Sequence, residues 1–155
     1  MSDPTNKPHR QRRLDRIFDS TPSYFLTLCT EKRVRVLDNR SVFENVRRFV
    51  DGSVERYGVY VNSYVLMPDH VHLIVSVAPA SEVTIGNWVK AFKAMAAQHQ
   101  FKWQAGFFDH VLRSDESLSE KWEYIRMNPV RAKLVEKPDE WPYAQQFNSF
   151  DGSEL

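Results

Sequence analysis

Residues 59–77 read VYVNSYVLMPDHVHLIVSV, two runs of β-branched, aromatic and aliphatic residues separated by Pro68-Asp69. Valine, isoleucine and tyrosine suit a pleated, largely buried surface, and proline followed by aspartate is turn chemistry, so the stretch predicts two strands. Strands this close in sequence pair antiparallel through a tight connection. Working outward, Tyr24–Thr30 (YFLTLCT) has the same strand composition after Pro22. From Ser41 the period changes: Phe43, Val46, Val50, Val54 and Tyr57 recur at helical spacing, Ser41 and Glu44 have the form of a capping box, and Gly52 weakens the helix. Beyond Pro79, Ile85, Trp88, Val89, Phe92, Met95 or Ala96, and His99 mark a second amphipathic helix with Lys90 and Lys93 on its outer face. Residues 101–113 are aromatic and irregular, with room for one short strand. Ser117 and Glu120 open a third helix, which must stop near Asn128 because Pro129 disfavours helical backbone in the residue before it. Pro138, Trp141 and Pro142 mark a C-terminal extension. This order predicts an α+β fold, a ferredoxin-like or RRM-like antiparallel sheet with helices packed on one face and the other face open to hold a site.

A chain of 155 residues, 42% of them hydrophobic and with 21 basic against 20 acidic side chains, has the composition of one globular domain. The boundaries expected are a basic arm over residues 1–20 and a single domain over 21–150, with the extension starting at about 130. Cys29 is the only cysteine, which excludes an intramolecular disulfide or a cysteine zinc cluster and points to a reducing, cytoplasmic setting. No apolar run approaches the roughly 20 residues of a membrane span, and no membrane partner is expected. The net charge of +1 hides an asymmetry, for Lys7, Arg10, Arg12 and Arg13 crowd the arm without an intervening acid. Such an arm grips phosphates or is a solvated terminus.

His70 and His72 stand two apart on a predicted strand, so both imidazoles project from one face and can share a metal ion. The pair taken alone also fits two histidines at the edge of a half-buried sheet. On the third helix Leu118, Trp122 and Ile125 form an apolar stripe, while Tyr124 and Asn128, four apart, share an adjacent face. Two imidazoles and one amide oxygen would leave vacant positions for phosphate oxygens, a set suited to Mn²⁺ or Mg²⁺. Asn128 before Pro129 equally fits a helix N-cap, and Tyr124 equally fits an aromatic at the core edge. Cys29 alternates inside a strand and reads as a small buried residue.

Four motifs taken in order, SYVLMPDHVHLIVSV, WQAGFFDHVLRSDES, EYIRMNPVRAKLV and EWPYA, resemble those of the REP-associated tyrosine transposases, single-tyrosine members of the HUH endonuclease superfamily. The resemblance runs from about Ser23 to Tyr143, with His70-Val71-His72 as the histidine–hydrophobic–histidine element. It departs at Lys133, where the family usually has glycine, and at Ala144 and Gln145, where a serine pair is common. The resemblance implies an HUH endonuclease fold in which Tyr124 is the nucleophile and His70, His72 and Asn128 hold a divalent ion, Mg²⁺ or Mn²⁺. It implies a single-stranded DNA endonuclease and strand transferase that works through a 5′-phosphotyrosine link on hairpins of repetitive extragenic palindromes, as a monomer or a homodimer. Arg10, Arg12, Arg13, Lys90, Lys93 and Arg113 are candidate DNA contacts, and Trp103 and Phe107 either stack on bases or pack in the core. His110 belongs to the same DHVLR motif as Arg113. The competing expectation is a hairpin-binding protein without cleavage activity.

Overall fold

The computed structural model describes residues 22–113 and 115–147. The arm expected over residues 1–20, with Arg10, Arg12 and Arg13, lies outside them. The apolar runs of 59–77 form an antiparallel hairpin of β2 (Val59–Leu66) and β3 (His70–Val77), with Val65 opposite His72. Around it lie β1 (Ser23–Cys29), which pairs with β3, β4 (Phe108–Leu112), which pairs with β1, and β5 (Ala144–Gln146), which pairs with β2. Every pairing is antiparallel and the order across the sheet is β4-β1-β3-β2-β5.

The first helix, α1 (Arg40–Asp51), is capped by Asn39, whose Oδ1 accepts from the Val42 amide at 2.9 Å. Ser41 and Glu44 therefore do not form the expected capping box: Ser41 is already inside the helix, and Glu44 pairs with Arg47. Gly52 does more than weaken the helix, because the chain breaks there and resumes as α2 (Ser53–Tyr57). Gly58 then closes α2 at φ +68, where an added Cβ would lie 2.8 Å from the Ser81 Cβ, so the position needs glycine both for its backbone and for its space. The second long helix, α3 (Ile85–Ala97), starts at Thr84, whose hydroxyl caps the Asn87 amide. The third, α4 (Asp115–Arg126), begins two residues before the predicted Ser117 start and is followed after Met127 by the short α5 (Asn128–Arg131).

The α+β antiparallel architecture is the one predicted, but the helices occupy both faces. Val42, Val46 and Phe49 of α1 pack with Trp88, Val89 and Phe92 of α3 over Leu26, Leu28, Leu73 and Val75. On the opposite face Leu118, Trp122 and Ile125 of α4 cover Tyr60, Val65, Ile74 and Leu112. The reason lies in β2 and β3: β2 is buried at every position, so its two faces both need an apolar cover, which helices on one side cannot provide. Nor is the C-terminal segment an appendage. Trp141 Nε1 donates to the Leu66 carbonyl at 2.9 Å, the Leu66 amide donates to the Tyr143 carbonyl at 2.8 Å, and β5 adds a strand beside β2. Among the described residues no helix is long and apolar enough to cross a membrane.

Candidate active site

Strand alternation sets the sheet half of the site. His70, His72 and Ile74 share a face of β3, and Ile74 belongs to the core under α4, so both histidines face the α4 side. Their ring centroids are 4.8 Å apart at 76°, and the His72 ring stacks on Phe25 at 5.1 Å. Each imidazole is oriented through its Nδ1. His70 Nδ1 lies 2.8 Å from Asp69 Oδ1, where a carboxylate can only accept, and His72 Nδ1 lies 3.0 Å from Thr27 Oγ1, the residue opposite it on β1. Arg33 supports Asp69 from the other side at 3.1 Å. Burial raises the Asp69 carboxyl, but the hydrogen bonds from His70 and Arg33 more than offset this and hold it below its ordinary value. Burial, reinforced by the charges of His70, Lys121 and Arg131, pushes His72 down to about 3, so it is neutral at physiological pH.

The helical half comes from α4 and α5. Tyr124 is 56% exposed, so its ring is accessible at the surface. Lys121 links the halves: its Nζ is 4.8 Å from the Phe25 ring centroid and 5.6 Å from that of Tyr124, one helical turn on. Asn128 does not act as an N-cap. It is the first residue of α5, its side chain caps nothing, and its Oδ1 accepts from Arg131 Nη2. Arg131 also donates to the Tyr124 carbonyl, and its guanidinium lies 4.1 Å from the Tyr124 ring centroid. The two halves thus connect on the α4 face of the sheet through Lys121, which reaches both the Tyr124 ring and the Phe25 ring stacked on His72.

The donor chemistry suits a divalent ion. Both Nδ1 atoms are engaged by side-chain oxygens, so each Nε2 is the ring nitrogen left to face an ion, and outer-shell bonds of this kind set ring orientation in metal-binding histidines. Among the described residues no three His, Cys, Asp or Glu side chains gather, so a third protein donor would be an amide oxygen, for which Asn128, one turn after Tyr124, is the candidate.

The other candidates lie elsewhere. Lys90 and Lys93 sit on α3, beneath the opposite face of the sheet, and Lys93 is engaged as a loop staple, donating to the Gln104 and Gly106 carbonyls at 3.0 and 2.7 Å. Arg113 is exposed just past β4. Trp103 and Phe107 pack against the α1/α3 core, with Trp103 Nε1 bonded to the Lys93 carbonyl at 3.0 Å. His110 is exposed on β4, opposite Phe25. The aromatic left free is Phe108: it pairs with Thr27, which pairs with His72, so it stands in the same row as the histidine and is 64% exposed. Thr27 and Phe108 depend on strand register, for which the sequence carries no local signal. Lys121 and Arg131, three residues before Tyr124 and three after Asn128, could have been found by helical spacing.

Residues 20–128 match the model of the family described as "Transposase IS200 like". A REP-associated tyrosine transposase of Escherichia coli (strain K12) is 26% identical over 86 residues, 54% of this chain and 52% of that protein, so the chain spans about half the length of this relative. A candidate REP-associated tyrosine transposase of Haemophilus influenzae is 25% identical over 138 residues, 78% of this chain and 77% of that one. A solved REP-associated tyrosine transposase bound to a REP hairpin shares the fold with a TM-score of 0.67 at 16% identity, covering 99% of this chain and 96% of that chain. With the family model matched over most of its length, the chain belongs to the IS200-like transposase family.

Proposed function

We propose that this protein is a metal-dependent single-stranded DNA endonuclease and strand transferase that recognises hairpins of repetitive extragenic palindromes and cleaves through a 5′-phosphotyrosine. The observation that carries this reading is an exposed Tyr124 whose ring shares the Lys121 ammonium with Phe25, the ring that stacks on His72. Tyr124 Oη attacks the phosphorus, the bond to the 3′ oxygen breaks, and the phosphate remains on the tyrosine while the departing strand keeps a 3′-hydroxyl. The phenolic proton passes to solvent at the exposed margin, and the leaving oxygen takes one up. A divalent ion, Mn²⁺ or Mg²⁺, held by His70, His72 and Asn128 would supply Lewis acidity to a phosphate oxygen. A phenolate, whose acid has an ordinary pKa of about 10, leaves far more readily than an alkoxide, so a 3′-hydroxyl reverses the step and joins strands without a nucleotide cofactor.

Neutral His72 serves this role directly, since no proton must leave it before it donates to an ion. Lys121 supplies positive charge at the margin, and Phe108 offers a face for an unpaired base. Hairpin recognition is supported by the REP hairpin bound to the structural neighbour. The acting unit is a monomer or a homodimer, in the reducing, cytoplasmic setting to which the single cysteine points. The test uses labelled single strands from the DNA flanking the gene, with Mn²⁺ or Mg²⁺, resolved on a denaturing gel beside Tyr124→Phe and His70→Ala. A covalent adduct formed by the unmutated protein alone is the expected result. Tight hairpin binding without adduct or cleavage in either metal would make the protein a binding module instead.

A further inference from the structure

We propose that Arg131 is a positioning residue that presents Tyr124 and Asn128 as one unit, an inference that rests on the tyrosine and metal reading above. The local problem is geometric. Tyr124 lies in the last turn of α4, Asn128 begins α5, and Met127 joins them in near-helical backbone. A helix of four residues has little stability of its own, and its backbone bonds, such as Arg131 amide to Met127 carbonyl at 2.9 Å, do not orient the Asn128 side chain. Arg131 supplies that link. Its Nη2 donates to the Tyr124 carbonyl, one of the unpaired carbonyls at the end of α4, and to Asn128 Oδ1, while the guanidinium plane covers the Tyr124 ring at 4.1 Å.

The chemistry of the pair matters more than its strength. Arginine has donors and no acceptor, so it can hold only the oxygen end of the asparagine amide, and that oxygen is the atom an ion would use. An amide oxygen has two lone pairs and can accept from Arg131 while facing a cation. Lysine lacks the planar fork that reaches a carbonyl, an amide and a ring face together. Among the described residues Arg131 Nε and Nη1 make no hydrogen bond, so holding Asn128 and Tyr124 leaves donors for solvent.

The test uses the full chain with Arg131→Ala, Arg131→Lys and Asn128→Ala, and the double variant Arg131→Ala with Asn128→Ala. Mn²⁺ binding is read without DNA from the electron paramagnetic resonance signal of the free ion, adduct formation on a denaturing gel at saturating metal, and hairpin affinity separately. Removing the orienting partner of a ligand costs about 10- to 100-fold, so Arg131→Ala is expected to weaken Mn²⁺ binding and slow adduct formation by that factor. Arg131→Lys should not restore either. In the Asn128→Ala background the same change should alter Mn²⁺ binding by about twofold or less, the mark of two residues acting as one. Hairpin affinity should stay within about twofold, the spread expected of an uncoupled site. Equal losses in both backgrounds, unchanged Mn²⁺ binding, or a loss confined to hairpin affinity would each overturn the proposal. If the unmutated protein forms no adduct, the strand-transfer reading fails while the Mn²⁺ arm still decides the role of Arg131. Arg131→Gln, which keeps the stem, replaces the alanine variant if melting shows that one to be unfolded.

Discussion

On the α1/α3 face of the sheet the rings of Phe49, Trp88 and Phe92 lie 5.5–5.6 Å apart, and even the indole nitrogen is paired, Trp88 Nε1 donating to Ser53 Oγ and that hydroxyl to the Val59 carbonyl. On the α4 face the packing stops part of the way across. Leu118 and Ile125 are buried, but Phe108 and Tyr124 stand in solvent and half-buried histidines face two cations. The same strands feed both faces through alternate residues, so one surface supplies cohesion and the other keeps groups that pay a desolvation cost, as the depressed His72 records. A site of this kind persists because its strands are anchored from behind.

That contrast can be broken from either side. The largest effect should come from the closed face: Trp88→Ala leaves a cavity and removes the donor to Ser53 Oγ, costing about 3–5 kcal/mol of stability in denaturant unfolding. On the open face, Phe108→Ala should leave stability unchanged and weaken binding of a single-stranded flank by about 1–3 kcal/mol in a titration at fixed salt. A pH series sharpens the same difference. His72 is held at about 3 in the folded metal-free protein against 6.5 in the unfolded chain, so the unfolded state takes up the extra proton. Its contribution is neutral above the unfolded value and becomes destabilising as pH falls toward 3, by up to about 1.4 kcal/mol per pH unit. His72→Gln should flatten that limb, whereas Trp88→Ala should lower the curve without changing its slope. The smallest effect concerns Lys133, which follows α5 at φ +63, a left-handed conformation. Lys133→Gly should stabilise the turn by about 1 kcal/mol in the same unfolding assay.

The Lys133 angle also shows what a sequence can carry. The departure from the family's glycine was readable at that position, and the structure gives it a backbone meaning. The β2–β3 hairpin, the shared face of His70 and His72, and the adjacency of Tyr124 and Asn128 followed from periods of two and four residues, which act locally. Pairings between distant segments were not readable. Thr27 reaches His72 across a register fixed only when β1 docks, and β5 closes the edge of β2 through Trp141 and Tyr143, far along the chain. Local competition also misled: Asn39 took the cap that Ser41 was expected to provide, because an asparagine in extended backbone one residue before the helix can reach the Val42 amide. The placement of α4 opposite α1 and α3 depended on β2 being apolar on both faces, a property visible in VYVNSYVL but assigned to a single-sided sheet.

The central claim is that Tyr124 carries the DNA, and mass spectrometry of the digested adduct addresses it directly. Trypsin cuts after Lys121 and Arg126 and releases Tyr124 in the peptide WEYIR. After incubation with the hairpin strand and Mn²⁺, nuclease trimming and digestion, the nucleotide phosphate should be found on that peptide and nowhere else. A phosphate on Tyr60, Tyr64 or Tyr143, or an adduct that survives Tyr124→Phe, would contradict the account.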